Sequence, residues 1–320
     1  MKIKRIAVIS LSNRDFDTFA DKLIEACSWV QLAAKMGSDL AVLPEEMNNY
    51  CGDGPGNPRA LTMEQMALDD WRTTCASLID CAVRNRIAVT VPLITREPDG
   101  YRNGFFLVDR NGAVLGRYNK RRPTIGELDV GIVPGETFPP IPWEDGIRVG
   151  GGICFDLNFH DVFADQKKAG ANLFLCPSLF PGGSQLNYFA QSLQTPIALA
   201  YPAWSRIIDT LGREIAGGGY RHEQLRFGFG VPVYTADINF DSAVFHFDLN
   251  QEKIDPILRR YGAAVRLAFD QENSRFALES LAPDLTIGEV AREFGLETMG
   301  DYLVRAEKCV QTIAARSRRA

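Results

Sequence analysis

Short apolar runs of strand length alternate with longer stretches of helical spacing over roughly the first 240 residues. Residues 1–10 predict a strand, and residues 17–36 predict a helix that stops at Gly37. A second strand over residues 39–43 breaks at Pro44. This succession of strand, helix and strand is typical of an α/β fold.

The same succession continues through the middle of the chain. A long helix over residues 63–85 precedes a strand over 87–94, and the Asn-Gly pair at 111–112 predicts the tight turn of a β-hairpin. Later strands are predicted over residues 147–153, 171–176, 197–200, 205–209, 214–216 and 231–238. From about residue 254 the pattern becomes charged and helical, with a possible capping box at 286–289. We therefore predict a domain over residues 1–253 and a helical extension over residues 254–320.

Composition indicates an ordinary globular protein, because 46% of the 320 residues are hydrophobic and 23% are charged. The formal net charge of -5 gives no long-range attraction for phosphates, so neither nucleic acid nor a membrane surface is an expected partner. No apolar run approaches the ~18 residues that a membrane helix needs. The polar residues at 13–15 come too early for a signal-peptide core.

The seven cysteines are odd in number and contain no C-x-x-C pair. Neither a disulfide framework nor a thiolate metal cluster is indicated, and a reducing cytoplasm is the expected compartment. The three histidines show no paired ligand spacing, so we predict neither a metal nor a cofactor. Buried structural thiols are predicted for the cysteines inside apolar helix or strand patterns, namely Cys27, Cys75, Cys81 and Cys176. Cys154 differs, because it stands at the end of a glycine-spaced apolar strand.

Three segments carry the candidate chemistry: residues 39–45 end at Pro44-Glu45, residues 116–120 leave the hairpin at Lys120, and residues 150–156 contain Cys154. Together and in this order they resemble the Glu-Lys-Cys motifs of the nitrilase superfamily, the carbon-nitrogen hydrolases. The resemblance extends from residue 1 to about residue 240 and implies the α/β fold of that family, a four-layer αββα sandwich.

The resemblance also implies a role for each motif. Cys154 would be the nucleophile, and Glu45 would be the base that accepts the thiol proton. Lys120 would stabilise the oxyanion together with the backbone N–H of Phe155, and Glu127 would orient the lysine or the substrate.

The family pattern distinguishes the motif residues from the charged residues beside them. The family glutamate directly follows a proline, so Glu46 is expected to be a solvated loop carboxylate. Lys120 is selected in the same way from a run of three cations. A pocket wall is predicted from nearby aromatic residues, namely Tyr50, Phe155, Phe180, Tyr188 and Trp204. A charged substrate group could be met by Arg121, Arg206 or Arg221.

Two segments depart from the family pattern. Asn158, His160 and Asp161 stand where many family amidases carry an arginine and a Pro-Glu pair, and residues 191–195 replace an Arg-Ala-x-Glu-Asn helix. These positions bear on the substrate subgroup more than on the chemistry.

The sequence therefore predicts hydrolysis of a small linear amide or N-carbamoyl compound through a cysteine thioester. A nitrilase is the alternative within the family, although nitrilases usually carry Trp-Glu where this chain has Phe155 and Asp156. A catalytically silent binding or scaffold protein of the same fold is the alternative from another class. Because family members commonly assemble, we expect a homodimer or higher homo-oligomer with the C-terminal extension at a subunit interface.

Overall fold

The computed structural model describes residues 2–11, 16–52, 57–219 and 231–317. The chain divides into a larger unit of residues 4–238 and a C-terminal unit of residues 1–3 and 239–320. The strands of the larger unit are β1 (Ile3–Ile9), β2 (Leu40–Val42), β3 (Ala88–Glu97), β4 (Gly100–Val108), β5 (Val114–Asn119), β6 (Ile141–Pro142), β7 (Arg148–Gly151), β8 (Leu173–Pro177), β9 (Ile197–Ala200), β10 (Ser205–Ile208), β11 (Glu214–Gly218) and β12 (Val233–Asn239). Its helices are α1 (Phe19–Lys35), α2 (Met63–Met66), α3 (Trp71–Thr74), α4 (Ala76–Asn85), α5 (Ile125–Asp129), α6 (His160–Lys168) and α7 (Gln185–Leu193).

Two six-stranded mixed sheets form the centre of the larger unit. The first has the order β12-β1-β2-β3-β4-β5, and the second has the order β11-β10-β9-β8-β7-β6. β1, β2 and β3 are parallel to one another, as are β7, β8 and β9. Such strands are buried on both faces, which explains their nearly continuous apolar sequence.

Helices cover the outer face of each sheet. The apolar faces of α1 and α4 form one core with the first sheet, and those of α6 and α7 form another with the second sheet. The inner faces of the sheets meet, with β2 contacting β8 and β9. The predicted four-layer αββα sandwich is therefore confirmed. Among the described residues, no helix is both long and apolar enough to cross a membrane.

The hairpin of β4 and β5 is also confirmed. The two strands pair antiparallel, and Gly112 in the connecting turn has φ +82°, which its missing Cβ permits. The predicted long helix over residues 63–85 is instead three helices. Ala67 is extended, Leu68 pairs with Thr95 of β3, and Asp70 then caps α3. The helical spacing continued across this break because α2 buries Met66 and α4 buries Leu78 and Ile79, although α3 between them has no buried residue.

The C-terminal unit has its own core and its own sheet. Strands β13 (Ser242–His246), β14 (Val265–Asp270) and β15 (Arg275–Ser280) pair in the order β13-β15-β14. The helices are α8 (Ile254–Tyr261), α9 (Ile287–Phe294) and α10 (Met299–Ser317). A core that includes Phe245, Phe276 and Val290 lies between the sheet and the helices.

The prediction of a purely helical extension beginning at residue 254 was wrong on two points. The units divide between residues 238 and 239, and three strands belong to the C-terminal unit. The two largest apolar residues of β15, Phe276 and Leu278, stand two positions apart, which fits strand periodicity. This period is visible over only six residues between charged helical segments, so the helical pattern masked it.

Candidate active site

Cys154 lies where β7 ends and a short 3₁₀ helix, Cys154–Asn158, begins. Its backbone has φ +47°, a left-handed conformation that costs energy in a residue with a Cβ. The buried Asp156 carboxylate holds this turn by accepting hydrogen bonds from Ile153 N at 3.0 Å, Arg122 N at 2.7 Å and Tyr118 Oη at 2.9 Å. The turn that presents the thiol is therefore fixed to the segment that carries Lys120.

The glycines before Cys154 allow the close approach of aromatic rings. A Cβ on Gly151 would lie 2.6 Å from Phe105 in the facing sheet, and one on Gly152 would lie 2.4 Å from Phe163 of α6. Both distances are below van der Waals contact, so a side chain at either position would push the layers apart. The glycine spacing seen in the sequence thus places the thiol between tightly packed layers.

Lys120 follows β5 and is almost fully buried, with 2% of its side chain exposed. Its Nζ donates to Glu45 Oε1 at 2.9 Å and to Glu127 Oε1 at 2.8 Å. Burial opposes the charge, but Glu45, Cys154 and Glu127 raise the pKa of Lys120 above its ordinary value. The side chain is therefore a fixed ammonium held between two carboxylates.

Glu45 connects the two sheets. It follows β2 in the first sheet, and its Oε2 accepts a hydrogen bond at 2.8 Å from Leu179 N, just beyond β8 in the second sheet. Its Oε1 accepts from Lys120 and, at 2.7 Å, from Asn103 Nδ2. Only 1% of the residue is exposed, so its partners leave the carboxylate little freedom to move.

Glu127 is held by the start of α5. Thr124 caps this helix, and Glu127 Oε2 accepts from Thr124 N at 2.7 Å. Its other oxygen faces Lys120 and, at 2.9 Å, Asn103 Nδ2. Burial favours the neutral acid, but Lys120 and these hydrogen bonds lower the pKa of Glu127 below 4.5. Glu127 thus stays ionised beside the lysine at neutral pH.

Asn103 was missed by sequence reasoning. It lies in β4 with 1% exposure and donates to both carboxylates, while its backbone oxygen accepts from Lys120 N at 2.8 Å. The available signal was an amide immediately before the buried run Gly104–Val108. A buried polar group in a strand requires partners, but the sequence does not say which ones.

The Cys154 thiol lies beside Glu45 and Lys120, and the three predicted motif residues are thus brought together. Burial, the negative charge of Glu45 and a hydrogen bond to that carboxylate raise the pKa of Cys154, while Lys120 acts in the opposite direction. The net direction is upward, so the resting group at neutral pH is a thiol. Lys120 by itself favours the thiolate, but burial and Glu45 outweigh its effect on the pKa of Cys154.

Glu46 does not match the expectation of a solvated loop carboxylate. It is only 7% exposed, has φ +54°, and accepts a contact from Asn49 Nδ2 at 3.4 Å. One oxygen each of Glu45, Glu46 and Glu127 lies within 4.8 Å of the others. The ammonium of Lys120 binds two of these three carboxylates and so offsets part of their negative charge.

The predicted pocket aromatics occupy different environments. Phe155 follows the thiol and is 37% exposed, and half-buried Phe180 lies next to Leu179, whose N–H binds Glu45. Tyr188 is 58% exposed on α7, where its ring contacts His160 and Phe189. Tyr50 and Trp204 are both half-buried.

The predicted substrate-binding arginines have partners within the protein. Arg121 pairs with Asp165 at 3.3 Å, and Arg206 donates to Gly183 O at 2.7 Å and pairs with Glu214 at 3.6 Å. Arg221 lies outside the described residues, as does His222.

The two segments that depart from the family pattern meet in space. His160 Nε2 lies 3.2 Å from Ser192 Oγ, which joins the start of α6 to α7. Asn158 Oδ1 accepts from Gln185 Nε2 at 3.2 Å, and Asp161 pairs with Arg122 at 2.8 Å. The departures therefore form one alternative set of contacts between neighbouring elements.

A model of the carbon-nitrogen hydrolase family matches residues 5–242. This range covers most of the chain, and the protein therefore belongs to the carbon-nitrogen hydrolase family. The family that the motifs resemble is thereby confirmed, and the protein is an enzyme of that family.

Individual relatives are distant. A deaminated glutathione amidase of Synechocystis is 23% identical over 208 residues, 61% of this chain and 73% of that protein. An amidase from Nesterenkonia sp. is similar in structure, with a TM-score of 0.61 at 21% identity over 73% of this chain and 90% of its own. Nit3 of Saccharomyces cerevisiae, a member of branch 10 of the nitrilase superfamily, has a TM-score of 0.60 at 19% identity over 82% and 95%. At these identities the structural likeness shows the fold.

Proposed function

We propose that the protein hydrolyses a small linear amide or N-carbamoyl compound through a thioester on Cys154. The observation that carries this proposal is the buried Lys120 ammonium, held at 2.8–2.9 Å by Glu127 and Glu45 beside the thiol. Structural ion pairs can also be buried, but one that adjoins a strained, strand-end cysteine supplies a base, a cation and a nucleophile together.

The first half-reaction begins with the protonated thiol. Glu45 takes the Cys154 proton as sulfur attacks the carbonyl carbon, so the thiolate forms only during attack. Lys120 and the backbone N–H of Phe155 stabilise the oxyanion of the tetrahedral intermediate. The Phe155 N–H suits this role because it lies in the first helical turn, where backbone N–H groups have no acceptor within the helix.

Collapse of the intermediate breaks the C–N bond. The proton held by Glu45 passes to the leaving nitrogen, ammonia or an amine departs, and the acyl group stays on sulfur as a thioester. In the second half-reaction Glu45 takes a proton from water, hydroxide attacks the thioester, and the Cys154 thiolate leaves and recovers its proton. Asn103 positions the site by donating to the same two carboxylate oxygens that accept from Lys120.

Two relatives support the amide class of substrate. The Synechocystis protein is a deaminated glutathione amidase, and the Nesterenkonia amidase has been solved with acrylamide added at its active-site cysteine. Hydrolysis of a nitrile by the same three residues is the competing reaction. A silent binding protein is the remaining alternative, and the presence of Glu45, Lys120 and Cys154 together argues against it.

A trapping experiment tests the proposal. The protein is mixed with a panel of small amides, N-carbamoyl amino acids and matched nitriles, quenched in acid and analysed by intact and peptide mass. We expect an acyl group on Cys154, a burst of the first product and no turnover in Cys154→Ala. Cys309→Ala, which removes an exposed thiol, is the matched control. Turnover by Cys154→Ala would disprove the mechanism, and faster turnover of the nitriles would make the enzyme a nitrilase.

We further propose that the C-terminal unit contributes to a homo-oligomer. α10 buries none of its own residues and exposes Leu303, Val304, Val310 and Ile313 by 49–63%. Four large apolar residues exposed on one helix are typical of a contact surface. Replacing all four by serine should lower the molar mass measured by light scattering, and an unchanged mass would contradict this role for α10.

A further inference from the structure

A second pair of reactive groups lies outside the candidate active site. Cys27 on α1 and Cys81 on α4 face each other across the packed helices. Cys81 Sγ lies 3.4 Å from the backbone oxygen of Cys27, and Cys27 Sγ lies 3.6 Å from the backbone oxygen of Ser77. The two thiols also hydrogen-bond to each other. Each sulfur therefore lies against the backbone of the helix that carries the other cysteine or its neighbouring turn.

The pair opens to solvent through a surface depression of about 360 Å³ lined by Cys27, Ser77, Cys81, Arg84 and Asn85 among others. Cys27 is half-buried and Cys81 is 4% exposed. The depression therefore gives small solutes a route to the two sulfurs. Asn85 Nδ2 contacts Cys81 Sγ at 3.5 Å, which adds a donor beside that sulfur.

The chemistry around Cys81 differs from that around the buried thiols. A hydrogen bond from Cys27 lowers the pKa of Cys81 to about 7 against the effect of burial, with help from Arg84. Burial alone raises the pKa of Cys75 to about 12, and Cys75 is fully buried. Because the thiolate is the reactive form, Cys81 can react near neutral pH and Cys75 cannot. Of the four cysteines predicted to be buried, Cys75, Cys81 and Cys176 are buried and Cys27 is half-buried.

We propose that Cys27 and Cys81 form a reversible oxidation site that closes a disulfide between α1 and α4 when a small peroxide enters the depression. The Cys81 thiolate attacks a peroxide oxygen, the O–O bond breaks, and hydroxide leaves to give a sulfenic acid. The Cys27 sulfur then attacks the Cys81 sulfur and the S–O bond breaks. Water leaves with the Cys27 proton. Two thiols are oxidised to one disulfide, and one hydrogen peroxide is reduced to two waters.

The charge on Cys81 makes the order of these steps plausible. Hydrogen bonding and the charge of Cys81 raise the pKa of Cys27, so Cys27 stays protonated while Cys81 is a thiolate. Once Cys81 is a neutral sulfenic acid, its charge no longer raises the pKa of Cys27, and Cys27 can ionise. The bridge would join residues 54 positions apart. A loop of this length gives a large loss of unfolded-state entropy on closure.

The test uses the full chain and hydrogen peroxide at pH 7.5. After brief exposure, free thiols are blocked with N-ethylmaleimide and the protein is digested for mass mapping. We expect a peptide linking Cys27 to Cys81, two fewer blocked thiols, a Tm several degrees higher, and complete reversal by dithiothreitol. Cys27→Ser removes the resolving thiol, so Cys81 should instead give a sulfenic acid that dimedone traps.

Two controls keep the proposal falsifiable. Cys81→Ser should leave Cys27 blocked by maleimide and unoxidised, and Cys75→Ser should leave the bridge unchanged. If oxidation links other cysteines, or if Cys27 and Cys81 stay free while Cys154 is consumed, the proposal is wrong. Should a serine variant fail to fold, the linked peptide from the unaltered protein decides the question alone.

Discussion

Two thiol sites in the larger unit show how differently one fold can set the state of a cysteine. At Cys154 the neighbouring cation is Lys120, but two carboxylates bind that ammonium and one of them also faces the thiol. At Cys81 the neighbours are a thiol donor and the Arg84 cation. Burial raises the pKa at both sites, so the neighbours decide the outcome.

The difference concerns when the thiolate forms. In the proposed mechanism, Cys154 remains protonated until Glu45 takes its proton during attack, which would protect the thiol from unrelated electrophiles. The pKa of Cys81 is lowered by the hydrogen bond from Cys27, which favours the thiolate and suits reaction with a small oxidant. A cation near a cysteine is therefore not enough to identify a reactive thiol, since the charges around the cation count as well.

Replacing Glu45, the proposed base, should have the largest effect on the difference between Cys154 and Cys81. In Glu45→Gln we expect kcat to fall by about 10²–10⁴-fold, the usual contribution of a general base. Alkylation of Cys154 at pH 7.5 should become faster, because the negative charge that raises its pKa is gone. Steady-state kinetics and peptide-resolved iodoacetamide labelling measure the two opposite changes. Glu136→Gln, at an exposed position, is the control, and a parallel fall in both rates would contradict the assignment.

Loss of the shared hydrogen-bond donor should have a smaller effect. Asn103→Ala removes the bonds to Glu45 and Glu127, so we expect kcat to fall by about 10–100-fold with little change in KM. Asn103→Gln should restore part of the loss if it reaches the same oxygens. Asn187→Ala, in α7, removes an amide that binds Gly212 and Arg206 instead. A change confined to KM, or equal losses in both alanine variants, would count against a positioning role.

The pH dependence of labelling compares the two thiols directly. In the free enzyme, Cys81 should reach half of its maximal alkylation rate near pH 7, and the rate at Cys154 should still be rising at alkaline pH. At pH 7.5 we expect Cys81 to react about tenfold faster than Cys154. Timed labelling followed by peptide mass analysis gives both profiles. A rapid, pH-independent reaction at Cys154 would show that the resting enzyme holds a thiolate.

The smallest expected effect is that of Glu127 on the free energy of unfolding. The folded-state pKa of Glu127 is lowered below 4.5, so its contribution is present above pH 4.5 and is lost as the pH falls through the folded value. The free energy of unfolding of Glu127→Gln should therefore be lower than that of the unaltered protein by about 1–3 kcal/mol at pH 7. This difference should become smaller in acid. Urea unfolding at pH 7 and pH 4 measures this. The exposed capping variant Glu289→Gln should change less, and an unchanged gap would contradict the ion pair's contribution.

Much of the fold was predictable because its signals are local. The hairpin of β4 and β5 follows from an Asn-Gly turn between apolar runs. The helix α1 follows from the helical spacing of its apolar residues, and Thr18 caps its N-terminus. The break in the helix over residues 63–85 was not predictable, because it depends on Leu68 pairing with a strand distant in the sequence. β15 was missed for a related reason, since a six-residue strand is stable only once its partners are in place.

The sequence by itself determined the residue types of the candidate site, their order, and their positions at strand ends. Only the tertiary structure decided how their charges add. Lys120 meets two carboxylates, Asn103 joins them, Glu46 is buried rather than solvated, and Cys81 meets Cys27 across two helices. The physical reason is that a pKa depends on burial and on distances of a few ångströms between atoms that are far apart along the chain.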